Sequence, residues 1–111
     1  MKRNYLGELE ELILLTIAVI GTGAYGVSIS HELERQTGRV IDFSSVHTTL
    51  NRLEDKGFLK SKMGGATNER GGRRKRFFAI TATGYKALHE SQGIRNKLWS
   101  QIPLQHQFKG I

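Results

Sequence analysis

Apolar residues near the start of the chain recur every three or four positions, which predicts a helix over residues 7–22. The residues of this stripe are Leu6, Leu9, Leu12, Ile13, Ile17 and Ile20. The other side of the helix is also apolar and includes Leu15 and Val19. Because a small domain cannot cover both sides of one helix, we expect a second copy of the chain to cover the second side.

Two further helices are predicted by the same kind of pattern. The second helix ends near Gly38, and its apolar stripe consists of Tyr25, Ile29 and Leu33. The third helix ends at Gly57, and we expect Ser44 and Ser45 to cap its N-terminus. Its inward stripe consists of Val46, Leu50 and Leu53.

Two strand-like segments, residues 58–63 and 74–80, follow the third helix. Residues 64–73 between them include four glycines, which is typical of a long hairpin tip. The two segments therefore predict a two-stranded hairpin.

A fourth helix is predicted to begin at a capping Thr81 and to end at Pro103. Its apolar stripe is interrupted at residues 91–93 and consists of Tyr85, Leu88, Ile94, Leu98, Trp99 and Ile102. The last eight residues carry no clear pattern, so we expect them to be frayed.

Three helices, a hairpin and a final helix follow one another as in a winged helix-turn-helix, whose third helix enters the major groove of DNA. The predicted fold class is therefore mainly α with a small β-hairpin wing. We expect residues 1–80 to form the winged helix-turn-helix domain, including the N-terminal helix. Residues 81–111 are expected to form a separate C-terminal helix and tail.

Composition narrows the class of protein. A chain of 111 residues is one domain, which is too small for an enzyme with several lobes. The absence of cysteine excludes disulfides and cysteine-ligated metals, and it favours an intracellular, cytoplasmic location. The longest apolar run, residues 12–20, is about half of what a bilayer core requires, and glutamates precede it. We therefore expect neither a membrane span nor a signal peptide.

The net charge of +7 is concentrated in the predicted hairpin. Residues 1–58 sum to −2, whereas residues 59–80 contain seven Lys or Arg and one Glu. Such a cluster predicts a polyanionic partner, here double-stranded DNA, although a solvated basic loop without a partner is the simpler alternative. The predicted wing contacts are Lys60, Lys62, Arg70, Arg73, Arg74, Lys75 and Arg76.

The third helix carries short or hydrogen-bonding side chains opposite its apolar stripe. In a major groove, Arg52 is suited to guanine and Asn51 to adenine, because each offers a bidentate pair of hydrogen bonds. A merely solvated helix face is the alternative, and the adjacent basic hairpin favours DNA. The predicted DNA-reading residues are Ser44, Ser45, His47, Thr48, Asn51 and Arg52.

Four short segments carry a resemblance to a known family: GELE at 7–10, AYGV at 24–27, NRLEDKGFL at 51–59 and GRRKRFF at 72–78. Together they resemble the short branch of the PadR family of bacterial transcriptional regulators. The resemblance implies an intracellular homodimer that binds an inverted repeat in a promoter, usually as a repressor. It also implies that the first and last helices form the dimer, so that residues 81–111 are a C-terminal dimerisation helix and tail. His47 departs from the tyrosine that many members have at this position.

The exposed apolar residues of these two helices are the candidate dimer interface. They are Leu15, Val19, Ile94, Leu98, Trp99 and Ile102. The resemblance also implies that Trp99 could line a pocket for a small planar effector at this interface. Simple packing between the two copies is the favoured interpretation of Trp99.

Gly21, Gly23 and Gly26 satisfy the spacing G-x-G-x-x-G of a dinucleotide-binding loop, with Asp42 following at about the expected distance. This alternative requires a strand before the loop, and the preceding segment has a helical pattern instead. The residue types of a hydrolase triad are also present, at Asp42, Ser44, Ser45 and His47, but closeness in sequence does not imply triad geometry. We therefore expect no enzyme activity and no cofactor.

Three other classes of partner are disfavoured. The four histidines, at positions 31, 47, 89 and 106, lack the spacing of metal ligands. RNA binding is disfavoured because no sheet with exposed stacking aromatics is predicted. Binding to a membrane surface is disfavoured because glycines, and not an amphipathic stripe, interrupt the basic segment. A non-specific nucleic-acid-binding domain stays open as an alternative.

Overall fold

The computed structural model of the chain describes residues 5–64 and 74–109. Its elements are α1 (Glu8–Ile20), α2 (Gly26–Thr37), α3 (Phe43–Asp55), β1 (Leu59–Met63), β2 (Arg76–Ile80), α4 (Ala82–Ser100) and α5 (Leu104–Lys109). β1 and β2 pair as an antiparallel hairpin. The predicted fold class is confirmed, because three helices, a hairpin and a further helix follow one another as in a winged helix.

One core joins α1, α2 and α3 to the base of the hairpin. The apolar stripes predicted for the three helices supply seven of the fourteen core residues that the structure describes, and α4 adds two near its N-terminus. The fourteen are Ile13, Leu14, Ile17, Ala24, Ile29, Leu33, Val46, Leu50, Leu53, Phe58, Leu59, Phe78, Ala87 and Leu88. Burying each large apolar side chain contributes about 1.5–3 kcal/mol, so the core determines which side of α3 faces solvent.

The start of α3 differs from the prediction. Asp42 is the N-cap residue, and its carbonyl oxygen accepts hydrogen bonds from the N–H groups of Ser45 and Val46. Ser44 and Ser45 lie within the first turn, so the prediction that they cap the helix was wrong. The Ser44 hydroxyl donates instead to the Asp42 carboxylate.

The hairpin gains a third strand-like segment that the sequence pattern did not reveal. Tyr25 forms an isolated antiparallel bridge with Phe77, and the N–H of Phe78 donates to the carbonyl oxygen of Ala24 at 2.8 Å. The rings of Tyr25 and Phe77 meet edge to face with centroids 5.8 Å apart. These contacts attach β2 to the segment that begins α2.

Thr81 caps α4 as predicted, since its hydroxyl accepts a hydrogen bond from the N–H of Gly84 at 3.0 Å. A Cβ at Gly84 would lie 2.3 Å from the carbonyl oxygen of Phe58, so only glycine allows this close approach of α4 to the hairpin.

The C-terminal part of the chain is more regular than predicted. α4 runs without a break through residues 91–93 and ends at Ser100. The final residues, expected to be frayed, form the short helix α5, and the carbonyl oxygen of Pro103 accepts a hydrogen bond from the N–H of His106. Proline ends one helix and suits the start of the next, because the first N–H groups of a helix have no partner within it.

Candidate nucleic-acid interface

The outer face of α3 is exposed as its periodicity predicted. Ser44, Ser45, His47, Thr48, Asn51 and Arg52 are all exposed, whereas Val46, Leu50 and Leu53 are fully buried. Thr49 is the hydroxyl residue that turns inward, and it donates to the carbonyl oxygen of Ser45. The exposed set therefore presents hydroxyl, imidazole, amide and guanidinium groups along one rigid helix.

An ion pair anchors the C-terminal end of α3 to α1. The Lys56 ammonium lies 2.7 Å from a carboxylate oxygen of Glu10, whose other oxygen accepts the N–H of Gly7 at 2.8 Å. Burial raises the pKa of the Glu10 carboxyl, but the Gly7 hydrogen bond and Lys56 outweigh it and leave this pKa below its ordinary value. Glu10 thus remains ionised and holds α3 against α1.

The predicted wing residues lie on two different faces of the hairpin. Lys60 and Lys62 are exposed and alternate with Ser61, which faces α3. Arg74 is exposed, and the Lys75 ammonium lies 4.4 Å from the centre of the Tyr25 ring. The predicted contacts Arg70 and Arg73 lie outside the described residues.

A groove separates the N-terminal part of α3 from β2 and has a volume of about 320 Å³. On the helix side, the rings of Phe43 and His47 stack with centroids 6.3 Å apart. On the hairpin side, Arg74, Lys75 and Arg76 line the groove. The structure therefore brings His47 close to three of the predicted wing cations.

Arg76 has protein partners that the sequence did not reveal. Its guanidinium forms an ion pair with the Glu54 carboxylate and donates to the Ser61 hydroxyl at 2.9 Å. The Ser61 hydroxyl in turn donates to the other Glu54 oxygen at 2.5 Å. We call Glu54, Ser61 and Arg76 the wing clasp, because they join the C-terminal turn of α3 to both strands of the hairpin.

The second half of α4 presents an apolar surface. Ile94, Leu98 and Trp99 expose 58%, 63% and 65% of their surfaces. Ile102 is also exposed, as are Leu15 and Val19 on α1. Side chains predicted to form a dimer interface are therefore accessible at the surface of the single chain.

A carboxylate on the first turn of α1 orients α4. Glu11 accepts a hydrogen bond from the Ser91 hydroxyl, and the Arg95 guanidinium lies 3.2 Å from it. Glu11 follows Glu10, which contacts Lys56. Adjacent residues of α1 therefore contact the end of α3 and the predicted dimerisation helix α4.

Two of the alternative interpretations can be compared with the fold. Residues 21–26 join helix α1 to helix α2, so the strand that a dinucleotide-binding loop requires is missing and that alternative was wrong. Within the described residues, no three His, Cys, Asp or Glu side chains group as a metal site would need. No helix in this part of the chain is long and apolar enough to cross a membrane.

An exposed polar third helix beside a basic hairpin defines a winged helix-turn-helix protein. A sequence profile described as the transcriptional regulator PadR-like family matches residues 14–90. The chain therefore belongs to the PadR-like family of transcriptional regulators, which are not enzymes. The predicted resemblance is confirmed.

Solved structures show the same fold. A PadR family transcription regulator from Clostridium difficile R20291 has a TM-score of 0.71 at 20% identity, over 85% of this chain and 93% of the other. One from Eggerthella lenta has a TM-score of 0.65 at 23% identity, over 84% and 80%. Bacillus subtilis PadR in complex with operator DNA has a TM-score of 0.61 at 22% identity, over 77% and 46%. No curated protein matches the sequence significantly.

Proposed function

We propose that this PadR-like transcriptional regulator binds an inverted-repeat operator as a homodimer and represses the adjacent promoter in the cytoplasm. The observation that carries the proposal is the exposed polar face of α3 next to a basic hairpin. Membership of the family and the operator complex of Bacillus subtilis PadR support it. Repression follows physically if the bound dimer excludes RNA polymerase from the promoter.

In this proposal α3 lies in the major groove, and two copies of it in a two-fold dimer are about 34 Å apart, one turn of DNA. Arg52 and Asn51 read base edges, while Ser44, Ser45, His47 and Thr48 complete the contact surface. On each protomer, Lys60, Lys62, Arg74 and Lys75 neutralise phosphates. Arg70 and Arg73, which fall between the two strands in the sequence, are proposed to reach the backbone or a minor groove.

Residues 81–111 are proposed to form the dimerisation segment, and residues 1–80 the DNA-binding domain. The exposed apolar surfaces of α4 and α1 support this division, because large accessible apolar side chains are typical of protein interfaces. A small planar effector at this interface is a secondary proposal, supported by Trp99 beside an open apolar hollow that Leu98 and Ile102 also line. Quenching of the fluorescence of Trp99, the only tryptophan, would report such binding.

The salt dependence of DNA binding tests the proposal. The binding sequence is first selected by the protein from a random DNA pool, and its affinity is then measured between 50 and 200 mM salt. With about four phosphates neutralised per protomer, the slope of log K against log salt is expected near −7. A slope shallower than about −3, or the absence of any selected sequence, would contradict the proposal.

A further inference from the structure

Arg76 lies in the groove between α3 and β2, but other protein groups already bind its guanidinium. It lines the groove with Arg74, Lys75 and His47, all predicted to contact DNA. Its guanidinium nevertheless pairs with Glu54, and its Nε donates to Ser61. The guanidinium carbon also lies 5.3 Å from the centre of the Phe78 ring. Three protein groups therefore hold this cation in one orientation.

The wing clasp is also electrically neutral as a unit. The side chains of Glu54 and Arg76 expose 27% and 40% of their surfaces, so water screens the pair only in part. A phosphate that bound Arg76 would have to displace a carboxylate already in contact with it. Glu54 thus competes with DNA for a cation that the fold has brought to the DNA-facing groove.

We propose that Glu54 is a positioning residue that lowers the affinity for DNA of any sequence by withholding Arg76 from phosphate. The inference rests on the proposed function. Phosphate contacts strengthen binding to every sequence equally, whereas base contacts distinguish sequences. Withholding one cation per protomer therefore weakens binding to every sequence alike and leaves the base contacts of α3 intact. The same clasp keeps the hairpin in one position relative to α3.

The test measures salt slopes on random DNA and on the sequence selected by the wild-type protein. In Glu54→Gln the side chain keeps its shape but loses its charge, so Arg76 becomes available to phosphate. We expect the slope on both DNAs to steepen by about 2 per dimer, and the ratio of affinities at 50 and 200 mM salt to grow about tenfold. Specificity, the ratio of selected to random affinity at one salt concentration, is expected to stay unchanged, because both affinities rise together.

Two matched variants separate the clasp from general charge effects. Glu54→Gln/Arg76→Gln has the wild-type net charge, and its salt slope should lie within about 0.5 of the wild-type value, because Arg76 makes no phosphate contact there. Asp55→Asn removes a carboxylate from the next position, where Asp55 is exposed. It should strengthen binding without the steeper slope.

An unchanged slope in Glu54→Gln would overturn the inference. So would a slope about 2 shallower in the double variant, which would show that Arg76 binds phosphate in the wild-type protein. If Glu54→Gln does not fold, as judged by circular dichroism, Ser61→Ala loosens the clasp without a charge change and should steepen the slope in the same direction. Failure of the wild-type protein to bind DNA would count against the proposed function instead.

Discussion

The outer face of α3 and the second half of α4 are both exposed, but they differ in chemistry. The α3 face carries hydroxyl, amide and guanidinium groups, whereas α4 exposes Ile94, Leu98 and Trp99. Exposed polar groups stay hydrated until a partner offers hydrogen bonds that replace those to water. Large apolar side chains are instead stabilised when another apolar surface covers them. The difference fits the two partners proposed above, DNA for α3 and a second copy of the chain for α4.

The largest effect is expected from placing a charge in the apolar surface of α4. Leu98→Glu should convert the proposed dimer to a monomer in sedimentation experiments, because the interface would have to bury an unpaired carboxylate. Affinity for the selected DNA should fall about 100-fold or more, since the two half-sites would no longer be bound together.

The control for this variant introduces the same charge on the other side of α4. His89 is exposed and, nine residues from Leu98, lies half a turn away around the helix. His89→Glu should leave the dimer intact. If Leu98→Glu also remains a dimer at micromolar concentration, α4 is not the dimerisation helix.

An intermediate effect is expected from two arginines, Arg52 and Arg74, of the proposed DNA-binding surface. Arg52→Ala should cost about 1–3 kcal/mol on the selected sequence and broaden the sequences selected, because it removes a base contact. Arg74→Ala should weaken selected and random DNA alike, because it removes a phosphate contact. Electrophoretic mobility shifts on both DNAs give the comparison, and an equal loss on both for Arg52→Ala would argue against its role in base reading.

The smallest effect concerns Glu10, which links α1 to the end of α3. Its pKa is lowered in the folded state, so its ionised form stabilises the fold above the unfolded value of about 4.3, and this contribution is lost as the pH falls through the folded pKa. Glu10→Gln should therefore lower the free energy of unfolding by about 1 kcal/mol at pH 7. Near pH 3 the difference from the wild-type protein should shrink.

Urea unfolding at both pH values measures this difference. Glu8→Gln is the control, because Glu8 pairs with Arg39 at an exposed position where solvent screens the interaction. It should have no measurable effect on stability. A difference between Glu10→Gln and wild type that persists unchanged at pH 3 would show that the carboxylate charge is not the cause.

Periodicity was sufficient to predict α1, the core side of α3 and the exposure of residues such as Asn51 and Arg52. The N-cap of α3 was harder to predict, because several neighbouring residues are of types that can cap a helix. Asp42, Ser44 and Ser45 are all capping residue types, and the backbone conformation selected Asp42. The helix α5 was missed because a six-residue segment is too short for a periodic pattern.

The amino-acid sequence by itself determined which residues form the helices, which side of each is apolar, and that positive charge gathers in the hairpin. These properties depend on neighbours within a few positions, so spacing along the chain reveals them. Only the tertiary structure decided which cations have protein partners: Arg76 meets Glu54 across 22 positions, and Lys56 meets Glu10 across 46. A charged side chain finds its partner by distance in space, and that distance is set when the core packs the elements together.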